Sequence, residues 1–458
     1  MASYYRLEGS KDVVSSDLDL FLTPPTNSGV EQVEWVDYRP VNSVGLNGTV
    51  EFRVPGSGMH YIDMKRTYLY VGGLPIDEDG EVFETASTDL LAAKIAPANN
   101  ILHSLWSQVD VTLNQKLVSS HTAHYAYKAM LESTLNYDKS AQESQMQSAG
   151  FYKRQNGFLD PQEGTITNIE LPDGDSSFKT TIPNPKYNPG VRARYLSWAK
   201  GDTLMGPLFA DLFQQDRLLL NGVEIGVQLY RHQPEFYMNA ATSDQKKYQI
   251  AFENLSLRVC KVKLSPQLQL SHEKMLETVP AKYPYLRSEL KTITMPANVS
   301  TYRVENLFQG KVPSRLVITG IEDYKAVGTL TEDPFVFNIS GSKGTVKVDG
   351  ISTPMQTPMG QGDAQRGNDV ESFFSEFNSL NRQGSDFGTM RDRAAGQDTF
   401  FCYDLTGMGM PSLETYPLFR RGEVSLEFTL PSIHNKTLLV LAYFPDMYQV
   451  DKSRNVIM

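Results

Sequence analysis

Glu423 and Glu427 stand four residues apart in a segment where Val424, Leu426 and Phe428 alternate with polar residues. Paired carboxylates on a strand face are the equipment of sugar hydrolysis, which needs the two carboxyls roughly 5 to 9.5 Å apart. Four strand residues span roughly 13 Å between Cα atoms, so the pair fits better as the solvated face of a half-buried strand. Seven histidines occur, and His121 and His124 lie three apart on a predicted helix. No third and fourth ligand accompanies them, so no zinc site is predicted. Gly360-Gln361-Gly362 lacks both the preceding strand and the Lys-Ser/Thr ending of a phosphate-binding loop. Cys260 and Cys402 sit in apolar strand contexts with no histidine nearby in sequence, the setting of inert core thiols. The chain is therefore expected to carry no catalytic residue, metal or cofactor. What remains is architectural: Asp216-Arg217 and Asp451 with Arg454 as structural ion pairs or subunit contacts, and Asn221-Gly222 as a tight hairpin turn.

The elements that would position these residues are strands, and they recur. Each half closes on a pair of them. Val223, Ile225, Val227 and Leu229 alternate with polar or small residues, followed by Tyr248, Ile250 and Phe252 and by Leu255, Leu257 and Val259. In the second half the alternating Val424 to Leu430 is followed by the unbroken apolar run Leu438 to Phe444. Period two marks a strand with one wet face, and a continuous run marks a strand buried on both. Further strands are predicted at Val33 to Tyr38, Thr49 to Val54, Thr67 to Val71 and Gln108 to Leu113, then at Leu290 to Met295, Leu316 to Ile321 and Phe335 to Ile339.

One amphipathic helix is predicted in each half. Ser120 to Tyr137 places Ala123, Ala126, Tyr127, Met130, Leu131 and Leu135 on one face, and Asp369 to Leu380 does the same with Val370, Phe373, Phe374 and Phe377. Each is expected to plug an open end of its sandwich. Leu208 to Phe213 reads as a short apolar helix, and 138–187 and 381–397 as long loops. The fold class is all-β: two tandem sandwiches with short helices inserted in each. The expected boundaries are an arm at 1–28, a first sandwich at 29–264, a polar linker at 265–280 and a second sandwich at 281–458.

A chain of 458 residues with 40% hydrophobic content, 33 Gly and 25 Pro has apolar material for two cores and turns for many strands. The N-terminal residues have no signal-peptide pattern, and no stretch is long and apolar enough for a membrane span. Two cysteines, one in each half, suit a reducing compartment and not a disulfide framework. A net charge of −10 repels phosphate over most of the surface, so direct nucleic-acid binding is not expected.

Four collinear strings give the chain a family likeness: Asn100 to Asn114 (NILHSLWSQVDVTLN), Phe213 to Arg231 (FQQDRLLLNGVEIGVQLYR), Gly310 to Ile321 (GKVPSRLVITGI), and the end from Arg421 through Asp451-Lys452-Ser453-Arg454-Asn455-Val456. They resemble the major capsid proteins of Polinton/Maverick elements and adintovirus-like viruses, over about Val30 to Gly150 and Val191 to Met458. The resemblance implies two jelly-roll sandwiches side by side and three chains in a pseudo-hexagonal capsomer of an icosahedral shell. It also implies a virion protein assembled inside the host cell, in the nucleus, with neighbouring capsomers, penton and minor capsid proteins as partners. Self-association needs apolar contact residues. Met355, Met359, Met408, Met410, Tyr416 and Phe419, set in Gly/Pro-rich segments, are candidates for that interface or for caps on the second core. The competing reading is a tandem sandwich that binds or cleaves carbohydrate.

Overall fold

A computed structural model describes residues 16–18, 20, 21, 23, 26–42, 44, 45, 48–76, 95–119, 124–152, 165–167, 181–183, 189–198, 202–240, 248–299, 301–339, 342–352, 374, 377–380, 398–406, 420–429 and 435–458. Strands dominate. The first half contributes β1 (Val30–Tyr38), β2 (Val50–Val54), β3 (His60–Ile76), β4 (Ile95–Pro97), β5 (Trp106–Leu113), β6 (Lys116–Leu117), β7 (Thr165–Thr167), β8 (Thr181–Pro183), β9 (Asp202–Pro207), β10 (Ile225–Arg231), β11 (Met238–Ala240) and β12 (Gln249–Leu264). The second contributes β13 (Ala281–Met295), β14 (Thr301–Val304), β15 (Arg315–Glu322), β16 (Lys343–Val348), β17 (Ile351–Ser352), β18 (Phe401–Asp404), β19 (Val424–Thr429), β20 (Lys436–Val450) and β21 (Val456–Ile457).

The two halves are wired identically. The first has sheets β1-β12-β3-β9 and β2-β10-β5-β6, with β4/β11 and β7/β8 as side ribbons; the second has β13-β20-β15-β18 and β14-β19-β16-β17. Numbering the eight main strands of each half in chain order gives 1-8-3-6 facing 2-7-4-5 in both. That is the connectivity of a jelly roll, so the fold is a double jelly roll. The pleat explains the faces. In β2, Val50, Phe52 and Val54 are buried and the intervening Glu51 and Arg53 are exposed. Val109, Val111 and Leu113 of β5 complete the same core.

β20 is buried on both faces. Leu438, Val440, Ala442 and Phe444 belong to the core enclosed by the second barrel. Leu439, Leu441 and Tyr443 belong to a second cluster that runs from the interior of the first barrel across the junction. One strand thus serves as the common wall of two apolar compartments.

The inserted helix differs from expectation. It spans Tyr125–Leu135, and all eleven of its residues are buried. Its ring contacts reach both halves, Phe236 on one side and Phe335 and Phe337 on the other. A one-face apolar count misses this because Lys128, Glu132, Ser133 and Thr134 are buried too. Of the second expected helix only Phe374 and 377–380 are described. Phe374 is 58% exposed, so it does not face inward as the periodicity suggests. The short helix near Leu208 is a single turn at Asp211–Gln214. The stretch 265–280 contains a helix, Pro266–Leu276, started by Pro266 in its first turn after Ser265. His121, Gly360 to Gly362, and the six candidate contact residues Met355, Met359, Met408, Met410, Tyr416 and Phe419 lie outside the described residues.

Candidate functional site at the junction between the barrels

The junction is built from the centre outward. At its centre the Lys128 Nζ lies 2.5 Å from Asp211 Oδ1 and 4.0 Å from a Glu132 carboxylate oxygen, all three side chains buried. Helical spacing sets Lys128 and Glu132 on one face, and the turn Asp211–Gln214 brings the third charge from across the first barrel. The second barrel completes the shell. Ser288 of β13 donates its backbone N–H and its hydroxyl to Asp211, at 2.9 and 2.6 Å. Gln214 Nε2 donates to Glu132 at 2.7 Å, and the Tyr443 hydroxyl of β20 donates to the other Glu132 oxygen at 3.5 Å.

This cluster holds one ammonium and two carboxyls. Burial alone would pull the Lys128 pKa down, but Asp211 and Glu132 outweigh it and the ammonium sits above its ordinary range. Asp211 is the direct partner, leaving Glu132 as the surplus acid. Burial, reinforced by the Asp211 charge and opposed by Lys128, pushes Glu132 up to about 7. All three charges belong to the first half, and the second barrel meets them with the neutral groups Ser288 and Tyr443.

Around the charges lies an aromatic seam. Tyr127 meets Phe236 and Phe335 edge to face at centroid distances of 5.5 and 5.6 Å, and Phe236 meets Phe335 at 5.6 Å. Such pairs contribute about 0.5–1.5 kcal/mol each beyond the area they bury. Farther along, Tyr283 and Tyr448 stack at 4.7 Å within the second barrel. Their hydroxyls reach into the first, Tyr283 accepting the Leu220 N–H at 3.0 Å and Tyr448 accepting from Gln215 Nε2 at 2.8 Å.

At one end of the junction the chain's last residues fold back as a clasp. Arg454, at φ 65°, donates its Nε–H to the Asn221 carbonyl at 2.8 Å and an Nη2–H to Asn221 Oδ1 at 3.0 Å, and the same nitrogen pairs with Glu273 of the bridging helix. Its own carbonyl accepts from Asn114 Nδ2 at 2.6 Å, and Lys116 Nζ donates to the Val456 carbonyl at 3.0 Å. Gly222 is at φ 77°, and a Cβ there would sit 3.3 Å from Arg454 Nε. The sequence-chosen residues Asn221, Gly222, Asp451 and Arg454 thus converge on one spot.

Their roles differ from those expected. Asn221-Gly222 forms a turn but not a hairpin: Leu219 before it bridges Ile62 near the first sheet, while β10 after it pairs with β2 and β5 in the facing sheet. Asp451 and Arg454 are joined through the backbone, Arg454 N–H to Asp451 carbonyl at 3.0 Å, and the Asp451 carboxylate accepts from Asn455. Asp216 and Arg217 do not pair with each other either. Asp216 meets Lys65 at 2.6 Å, and Arg217 donates to the Lys282 carbonyl of the second barrel at 2.6 Å.

The hydrogen bond from Lys347, at 2.7 Å, holds Glu427 below the usual carboxylate range, the opposite of a general acid. Among the described residues no group of three or more His, Cys, Asp or Glu could hold a metal. Cys260 and Cys402 are buried, and burial pushes the Cys260 thiol up. Among the described residues no helix is long and apolar enough to cross a membrane. The buried charges were missed from sequence; a Lys and a Glu four apart inside an otherwise apolar helix, and a lone Asp211 in the apolar run Leu208 to Phe213, were the available signal.

No family model matches the chain. An uncharacterized protein of Caenorhabditis elegans is 23% identical over 320 residues, which are 69% of this chain and 70% of that protein. A chain of the Sputnik virophage structure superposes with a TM-score of 0.59 at 12% identity, covering 100% of this chain and 94% of its own. The PBCV-1 virus capsid protein gives 0.57 at 9% identity, covering 96% and 99%. The mavirus major capsid protein gives 0.53 at 11% identity, covering 100% and 95%. This chain therefore has the double jelly-roll fold, matched over nearly its whole length by major capsid proteins of viruses and virophages.

Proposed function

We propose that the chain is a viral major capsid protein of the kind borne by Polinton/Maverick elements and adintovirus-like viruses, three copies forming a pseudo-hexagonal capsomer that tiles an icosahedral shell. The observation that carries this reading is the identical wiring of two barrels fixed side by side by a buried junction. Two like barrels in one rigid chain give three chains six like lobes, and heterologous contacts around a threefold axis close without leaving an unmatched face. In this reading Met355, Met359, Met408, Met410, Tyr416 and Phe419 contribute to the contact between chains, and the arm at 1–28 orders against a neighbour. Shell assembly in the host nucleus with penton and minor capsid partners belongs to the same proposal.

The deciding experiment is light scattering and electron microscopy of the purified chain. A species of about three times 51.4 kDa with six-lobed particles supports the proposal. Monomers that bind or hydrolyse sugars would replace it with the carbohydrate reading. Removing residues 1–28 is expected to spare the trimer and abolish shells; intact shells from the truncated chain would refute the role of the arm.

A further inference from the structure

The three charges at the centre of the junction also make a reactive set. A lysine nitrogen 2.5 Å from one carboxylate and 4.0 Å from another is the starting arrangement for an amide bond between side chains: Lys128 Nζ as nucleophile, the Asp211 carboxyl carbon as electrophile, and Glu132 as the group that moves protons. Ser288 prepares the electrophile. Its backbone N–H holds Asp211 Oδ2 at 2.9 Å, where negative charge gathers as nitrogen adds, and its hydroxyl holds Oδ1, the oxygen nearest Nζ, at 2.6 Å. Gln214 holds Glu132 by Oε2 at 2.7 Å, while Oε1 is the oxygen on the Nζ side.

Burial decides whether such a set is inert. On a surface, water solvates the ion pair and hydrolysis wins over condensation. Here Lys128, Glu132 and Asp211 are 4%, 1% and 8% exposed, and an apolar surrounding penalises two charges far more than one neutral amide. Contact between the groups also turns a bimolecular reaction into a unimolecular one.

We propose that Lys128 and Asp211 condense within the folded chain to an isopeptide bond, with Glu132 as the proton shuttle. Glu132 takes a proton from the ammonium, and the freed amine adds to the Asp211 carboxyl carbon. Glu132 passes that proton to Oδ1, takes a second from the nitrogen and delivers it to the same oxygen. The C–Oδ1 bond breaks and water leaves. One C–N bond forms and one C–O bond breaks, so ammonium and carboxylate become a neutral amide and water, with no oxidant or co-reactant. Glu132, pushed up to about 7, both accepts and releases a proton near neutral pH. The ammonium is held above its ordinary range, so free amine is scarce and the step is slow. The freshly folded chain therefore holds the ion pair, and the bond accumulates with age, stapling the helix Tyr125–Leu135 to the turn Asp211–Gln214 across 83 positions.

The test is intact mass spectrometry of the full-length chain, fresh and after a week kept folded near neutral pH. The aged chain is expected to weigh one water less than its sequence, and trypsin is expected to release the peptide carrying Lys128 joined to the one carrying Asp211. An aged chain at full sequence mass would refute the proposal, and so would a lost water with the Lys128 peptide unbranched. Lys128→Arg, whose guanidinium is no nucleophile, is expected to stay at full mass. Glu132→Gln keeps the shape and the ion pair, and with a native circular dichroism spectrum it is expected to link roughly a hundredfold more slowly. Linkage at the native rate in that variant would overturn the shuttle role. The mass is read on denatured chains, so the result stands apart from whether the chain trimerises.

Discussion

Glu132→Gln is the sharpest probe of the junction, because it removes a surplus charge while keeping shape. The pKa of Glu132 rises from 4.5 to about 7 on folding. At about 1.36 kcal/mol per unit this is a penalty of roughly 3 kcal/mol for carrying the ionised acid in the folded chain. The sign follows from the direction. Below pH 4.5 the group is protonated folded or unfolded and costs nothing; between 4.5 and about 7 the unfolded chain releases the proton first, and stability falls as pH rises. Above about 7 the penalty is complete. Glutamine carries none of it, and its amide oxygen can still accept from Gln214. Urea unfolding of both proteins at pH 5 and pH 8 reads the difference directly, since every other titrating group is shared. The variant is expected to gain roughly 3 kcal/mol over the native chain at pH 8 and markedly less at pH 5. A gain independent of pH, or a loss at pH 8, would refute the assignment of Glu132 as the surplus acid.

Three further substitutions test the remaining supports. Lys128→Met strands Asp211 and Glu132 without a cation and is expected to cost about 3–5 kcal/mol in denaturant unfolding at pH 8, with no loss meaning that the junction admits water. Arg454→Ala is expected to lower the melting temperature and speed proteolysis of the C-terminal tail, and Arg454→Lys should not restore either, because one ammonium cannot replace the planar fork that reaches Asn221 and Glu273. Gly222→Val forces a β-branched residue to φ 77° beside Arg454 and is expected to cost about 1–3 kcal/mol; an unchanged melting temperature would show that the turn is not held as described.

Most strands were legible because their faces differ, whereas Phe335 to Ile339, expected as a strand for its apolar residues, is irregular and spends them on the aromatic seam. Val50, Phe52 and Val54 declare an interior by alternation, and the unbroken run Leu438 to Phe444 declares two interiors, which is what β20 provides. The junction helix was half legible: its apolar stripe located it, but period counting assigns Lys128 and Glu132 to water, and only the facing barrel supplies the partners that bury them. The bridging helix hid behind polar residues such as Gln269 and Glu273, which meet Gly58 and Arg454. Asn221-Gly222 announced a turn correctly and a hairpin wrongly, because pairing depends on segments far away in sequence. Fold was therefore written locally, and the clasp was written in residues whose contacts span 181 to 340 positions.

The common wall has a consequence for how the molecule comes into being. All strands of the first barrel have been synthesised by residue 264, yet β20, the surface that seals its junction side, spans Lys436–Val450. N-terminal domains begin folding during synthesis at roughly 5–20 residues per second. For the time taken to make the intervening chain, the nascent protein presents Tyr127, Phe236 and an ionic pair with no lid. In that interval sibling chains at high concentration can associate through the same apolar surface.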